Sequence, residues 1–150
     1  MSYSLPLSEK CIDEVNDHHW KHFSKHVSPS LQFLNKDWYS AWERNHLVRE
    51  HPHSQVEYLS LFDDHEQLQG TFPHVRHSKA GIKILSNAGM YYPFRSILFS
   101  SESAADCSQM FVSTINKNHR NCIVRIGPAV EDDKAISMIR DSFQQAGWKR

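Results

Sequence analysis

The chain has 150 residues, of which 39% are apolar and 23% are charged, which is the size and composition of one globular domain with its own core. Its formal net charge is zero, so nothing in this balance points to DNA or to an anionic membrane as a partner. No signal-peptide segment opens the chain, and no run approaches the roughly twenty apolar residues of a membrane helix. The three cysteines are widely spaced, as in proteins with reduced thiols, so we expect a cytoplasmic protein.

The first third of the chain predicts two helices. Residues 3–5 favour a short first strand. Apolar side chains then recur every three or four residues, which predicts a helix over residues 9–27 with Ser8 as its N-cap. Asn35 is predicted to cap a second, shorter helix. The aromatic residues of that helix are expected in the core rather than on a ligand platform, because aromatic side chains dominate protein cores. They are Trp38, Tyr39 and Trp42.

The middle of the chain predicts a β-hairpin. Residues 55–62 are apolar on both faces, as in a central strand, and residues 68–75 return as a second strand. Pro73 cannot donate a backbone hydrogen bond, so we expect it at a sheet edge, at a bulge or at the end of the strand. The acidic segment 63–66 between the two strands predicts a solvated turn rather than a pair of catalytic carboxylates.

The last third predicts alternating strands and helices. Further strands are expected at residues 82–85 and 122–126, and residues 97–99 resume extended structure after an aromatic loop. A helix follows residues 97–99, with Ser101 or Ser103 as its N-cap, and a final helix ends at Gly147. The order β-α-α-β-β-β-α-β-α requires at least one crossover between parallel strands, whereas the hairpin requires antiparallel pairing. We therefore predict one domain over residues 1–150, an α/β fold with a mixed sheet and helices on its faces.

Several short motifs resemble the FemAB-like and CelD-like branch of the GNAT superfamily of acyltransferases. Phe33, Trp38 and Ala41-Trp42 resemble its "F…W…aW" segment, and Phe72-Pro73 with Gly70 resembles its return strand, which usually reads "GilPL". The matching positions in the other segments are Leu59, Leu61, Phe62, Leu68, Leu85, Ser86, Asn87, Tyr92, Pro93 and Phe94. His74 stands where this branch usually has leucine. The resemblance spans most of residues 30–100, and the element order extends it to about residue 148.

The resemblance implies a GNAT-like fold and a two-lobed enzyme. Such an enzyme moves an acyl or aminoacyl group from acyl-coenzyme A or from charged tRNA to an amine, often in cell-envelope or exopolysaccharide assembly. A cofactor site of this superfamily needs a glycine-rich loop before its third helix, where backbone N–H groups hold pyrophosphate. The corresponding residues 100–105 contain no glycine, and Glu102 would repel phosphate. We therefore expect this chain to bind no cofactor itself and to be an N-terminal lobe, incomplete at the C-terminus, whose catalytic second lobe is absent.

The loop after Gly89 holds the residues that we expect to contact substrate. They are Tyr91, Tyr92 and Arg95, and binding residues concentrate on such loops. No catalytic residue is assigned. His18, His22 and His26 recur at the spacing of metal ligands, but nothing clearly completes a site, so we expect a polar helix face and no metal. Cys107 and Cys122 lie on predicted apolar faces and are expected in the core rather than as nucleophiles.

Two functions of different classes follow from these observations. The first is a lobe of a GNAT-like N-acyltransferase that is inactive alone. The alternative is a non-enzymatic binding or scaffolding domain that pairs with another subunit. In both, the strand at 122–126 is expected at an open sheet edge beside uncovered apolar surface around Val124, Ile126 and Trp148. The expected partners are a C-terminal lobe, a second subunit or another copy of the chain.

Overall fold

The computed structural model describes residues 8–10, 16–27, 31–32, 34–50, 52–89, 97–119, 121–128 and 134–149. Within these ranges the strands are β1 (Ser8–Lys10), β2 (Val56–Phe62), β3 (Leu68–Lys79), β4 (Ile82–Asn87), β5 (Leu98–Phe99) and β6 (Cys122–Arg125). The helices are α1 (Asp17–Phe23), α2 (Lys36–Trp42), a π-helical turn (Glu43–Leu47), α3 (Val48–Glu50), α4 (Ala104–Asn118) and α5 (Lys134–Gln145).

The strands form one mixed sheet in the order β1-β2-β3-β4-β6, with β5 paired to β3. Strands β1 to β4 pair antiparallel with their neighbours, and β4 pairs parallel with β6. The predicted α/β class, hairpin and parallel crossover are therefore confirmed. The return strand is longer than predicted, because β3 continues to Lys79 and pairs with β4 there.

The sheet carries a separate apolar cluster on each face, because successive side chains of a strand point to opposite sides. On one face, Val56 and Phe62 pack with α1 and α2. On the other face, Leu59 and Leu61 pack with α4 and α5. The core prediction for the second helix is confirmed, since Tyr39 and Trp42 are buried and Trp38 packs against the same cluster.

The start of the first predicted helix is wrong. Ser8 does not cap a helix but opens β1, where Ser8 pairs with Phe62 and Lys10 pairs with Ser60. The helix begins at Asp17 after the N-cap Asn16, whose side-chain oxygen accepts from the His19 N–H at 3.1 Å. Pairing with β2 therefore overrides the helical spacing at this end. The strand predicted at residues 3–5 lies outside the described residues.

Pro73 is also placed differently from its prediction. It lies in the middle of β3, is buried, and is opposite Tyr58 of β2. On the other side of β3, β5 pairs with Gly70 and Thr71, whereas β4 pairs only from His74 onward. The backbone nitrogen of Pro73 faces the same side as its carbonyl, which accepts from the Ala88 N–H at 2.9 Å. The missing N–H therefore falls where β4 and β5 separate, and a proline is tolerated inside the sheet.

Asp63 is likewise not a solvated acid. It is buried, and its Oδ1 accepts from the backbone N–H groups of His65 and Gln67, both at 2.9 Å. Its Oδ2 accepts from Gln69 Nε2 at 2.7 Å. The Asp63 carboxylate thus organises the turn between β2 and β3, while Asp64 and Glu66 are exposed as expected.

Candidate functional site

The residues expected to contact substrate, Tyr91, Tyr92 and Arg95, lie outside the described residues. The described residues nearest to this loop on its N-terminal side are those at the end of β4. Here β4 and β6 run parallel and end at Asn87 and Arg125. Ligands of open α/β sheets bind beside the carboxyl ends of parallel strands, so the side chains at this end are the first candidates for a site.

Three polar side chains lie side by side at this end, and we call them the polar row: Glu57, His74 and Asn87. They sit on β2, β3 and β4, where Glu57 is opposite His74 and His74 is opposite Asn87. Directly opposed residues share a face, and this is the face that carries α4 and α5. Toward β6, Asn87 Oδ1 accepts from the Gly127 N–H at 3.4 Å.

His74 is the most unusual member of the polar row. It is 3% exposed and stacks on Phe72 at 4.9 Å between ring centroids. Its Nδ1 lies 3.0 Å from the backbone oxygen of Phe72, but its Nε2 is buried and has no hydrogen-bond partner within the described part of the chain. Burial lowers the pKa of His74 below its ordinary value, because charging the ring there sacrifices hydration. The ring is therefore neutral at neutral pH.

Glu57 joins the polar row to solvent. Its side chain is 29% exposed, and its Oε1 accepts from Arg76 Nη2 at 2.7 Å and from Nε at 3.1 Å. Its Oε2 lies 3.7 Å from His74 Nε2, beyond hydrogen-bond distance. The row thus combines a carboxylate that solvent can reach with a neutral imidazole beneath it. Chemically, the pair can accept hydrogen bonds and can hold or exchange a proton.

In the sequence His74 stands out as a departure from leucine and as one member of a weak His74-x-x-His77 ligand spacing, whereas Glu57 does not stand out. The signal that points to His74 is a histidine between the apolar residues Phe72-Pro73 and Val75. The signal for Glu57 is the register between β2 and β3, which requires knowing where the hairpin turns. Asn87 is the last residue of β4 and so holds the end of the row next to β6.

The other predicted candidates stay apart from the polar row. His18 on α1 is exposed, and the ring of His22 on α1 lies 5.0 Å from that of His26, in the turn after the helix. Across the described ranges, no group of three or more His, Cys, Asp or Glu residues could hold a metal ion. Cys107 is buried in the core, as predicted, and burial raises its pKa to about 12. Burial also raises the pKa of the half-buried Cys122, so neither thiol is poised as a nucleophile.

A second feature lies at the β6 end of the sheet. In the described residues β6 pairs with β4 on one side, and we call its other side the open edge. Beside it lies a cavity of about 380 Å³, the α5 groove. The groove is lined mainly by Val124, Ile126, Ile136, Ile139, Phe143 and Trp148. Val124, Ile126 and Trp148 are each half-buried, so the expected edge strand and its apolar surroundings are both present.

Comparisons with models of protein families, with curated proteins and with solved structures found no match for this chain. In the part of the chain that the structure describes, no helix combines the length and the apolar character needed to cross a bilayer.

Proposed function

We propose that this chain is the N-terminal lobe of a GNAT-like N-acyltransferase, which transfers an acyl or aminoacyl group to an amine. The observation that carries this proposal is the order and direction of the strands. An antiparallel run from β1 to β4 is followed by the short strand β5, by α4 and then by β6, which is parallel to β4. Apart from β5, which pairs with β3, this order agrees with the element order of a GNAT fold up to its fourth helix, on which the sequence resemblance also rests.

The lobe contributes the sheet and substrate contacts, whereas acyl-coenzyme A or aminoacyl-tRNA is bound elsewhere in the complete enzyme. The segment before α4 supports this division. Both the N–H and the hydroxyl of Ser101 donate to the His26 carbonyl at 3.0 Å, and the Ser103 N–H donates to the Ser100 carbonyl at 3.2 Å. Ser103 Oγ donates to Gln69 Oε1 at 2.9 Å. These donors are engaged within the chain instead of facing a phosphate.

The alternative function is a non-enzymatic binding domain that pairs with another subunit. The open edge favours it, because unpaired ladder groups beside an apolar groove are suited to adding a strand from a partner. Both functions use the same surface, so the surface does not decide between them. Acyl transfer by the assembled protein, present or absent, distinguishes the two functions.

A direct test combines the reading frame with binding. We expect the coding sequence to continue past Arg150 into a second αβ lobe, and the longer protein to release coenzyme A from acetyl-coenzyme A when an amine is present. Titration of residues 1–150 with acetyl-coenzyme A in a calorimeter is expected to give no saturable heat. A stop codon after Arg150 in an intact gene would favour the binding domain. A micromolar Kd for residues 1–150, in a metal-free sample, would contradict the division of labour proposed above.

A further inference from the structure

We infer that His74 and Glu57 form a proton-operated contact at the polar row. At neutral pH the His74 ring carries its proton on Nδ1 and leaves Nε2 unprotonated. On acidification Nε2 takes a proton and donates it in a charge-assisted hydrogen bond to Glu57 Oε2. This inference rests on hydrogen-bond geometry and is independent of the acyltransferase proposal.

The first step is the assignment of the ring proton. The backbone oxygen of Phe72 can only accept, and it lies 3.0 Å from His74 Nδ1, so Nδ1 is the nitrogen that carries hydrogen. The opposite tautomer would place the Nδ1 lone pair against that oxygen at the same short distance. It would gain at most a contact of 3.7 Å to Glu57, which is longer than a hydrogen bond. The Nδ1–H form therefore prevails in the neutral ring.

The second step is what this tautomer leaves at the other nitrogen. Nε2 is then an acceptor, and it faces a carboxylate oxygen that is also an acceptor. Two opposed acceptors do not bond, and this accounts for a buried Nε2 without a partner in the described residues. A second ring proton changes the pair into a donor and an acceptor. Charge-assisted hydrogen bonds of this kind are short, so we expect the 3.7 Å separation to contract to about 2.8 Å.

The third step concerns the groups around the ring, which decide the pH at which the contact closes. Glu57 on β2 favours the second proton, whereas Arg76 on β3 and His119 after α4 oppose it by charge. From β4 the neighbour is the uncharged Asn87, and from the core side it is Phe72. Burial is the largest influence, and it opposes the charged ring. The balance keeps the contact open at neutral pH and closes it only in acid.

The lowered pKa of His74 in the folded chain determines how its contribution to stability changes with pH. The unfolded chain binds the proton with an ordinary histidine pKa of about 6.5, and the folded chain binds it at lower pH. Between these two values the unfolded state holds more protons, so acid favours unfolding. The contribution of His74 to stability is complete above about pH 6.5 and is lost as the pH falls from there toward the folded pKa.

The decisive measurement is nitrogen NMR on histidine-labelled protein, because it reports each ring nitrogen without any substitution. At pH 7.5 we expect His74 to show a protonated Nδ1 and an unprotonated Nε2, and both nitrogens to be protonated after acidification. A neutral ring with its proton on Nε2 would overturn the inference. So would a ring whose Nε2 takes no proton before the protein unfolds.

Two variants identify the partner of the new proton. Glu57→Gln removes the charge that attracts it, and we expect the midpoint of His74 to fall by about one pH unit. His18→Gln is the matched control, because His18 is exposed on α1 and should leave the His74 midpoint in place. An unchanged midpoint in Glu57→Gln would show that the carboxylate does not receive the proton. The wild-type tautomer remains a test of its own if this variant folds poorly.

Discussion

The middle of the sheet and its β6 end are built from similar apolar strands but differ in how far neighbouring strands and helices cover them. Leu85 on β4 is fully buried, whereas Ile123, on the neighbouring β6, is 45% exposed. In the middle, β2 and β3 have partners on both sides and helices over both faces. This closure explains how β3 accommodates a buried histidine, because the surrounding pairs hold the strand in place. At the β6 end, in the described residues, nothing equivalent closes the open edge.

The largest expected effect comes from the same kind of truncation at the two places. Leu85→Ala removes buried methyl groups from the α4 and α5 side of the core and should lower the free energy of unfolding by about 2–5 kcal/mol. Ile123→Ala trims an exposed side chain and should cost less than about 1 kcal/mol. Urea denaturation of both variants measures the difference.

Equal losses in the two variants would break the comparison. They would mean that Ile123 is covered in solution, for example by another copy of the chain. Measuring both variants at two protein concentrations separates these cases, because stability gained from association rises with concentration.

The next effect concerns association through the open edge. Ile123→Lys places a charge on the unpaired strand and should reduce self-association, since charged edge residues discourage pairing between sheets. Ile82→Lys is the matched control, because Ile82 is 47% exposed and lies on β4, which is paired with both β3 and β6. Light scattering at rising concentration should show a smaller mass for the first variant only. A wild-type monomer at high concentration, with protected β6 amides, would show that the edge is already covered.

Local signals in the sequence were sufficient wherever short-range contacts decide the structure. Asn35 caps α2 by accepting from the Trp38 N–H at 3.0 Å, as its residue type predicts. The β2–β3 hairpin follows from two apolar runs around a polar turn. The sequence-based predictions were wrong where pairing with a strand distant in sequence determines the local structure. Ser8 joins β2 instead of capping a helix, and Pro73 is accommodated by a gap between β4 and β5 that no local pattern reveals.

The polar row shows the same limit at the candidate site. His74 and Glu57 are separated by 17 positions along the chain, and only the hairpin register makes them opposite one another. Their chemistry also depends on burial, since an exposed histidine on β3 would have water at Nε2. The residue types were visible in the sequence, but their pairing and the missing partner were not. The distinctive properties of this site, the Glu57–His74 pairing and the buried Nε2, therefore depend on the three-dimensional structure.

The smallest expected effect tests whether packing alone holds α1 against the closed part of the sheet. Trp20 and Phe23 are buried in the cluster with β2 and β3, which accounts for the attachment of the helix without a metal ion. His18, His22 and His26 have the spacing of metal ligands on one helix, but α1 ends at Phe23, before His26, and His18 is exposed while the other two are half-buried. We expect a chelator to leave the melting temperature unchanged, as measured by circular dichroism. A drop of several degrees that zinc restores would show that these histidines hold a structural ion, because metal bound only by the folded state stabilises it directly. In that case the closed part of the sheet would depend on a ligand as well as on its core, and its contrast with the open edge would rest on two causes instead of one.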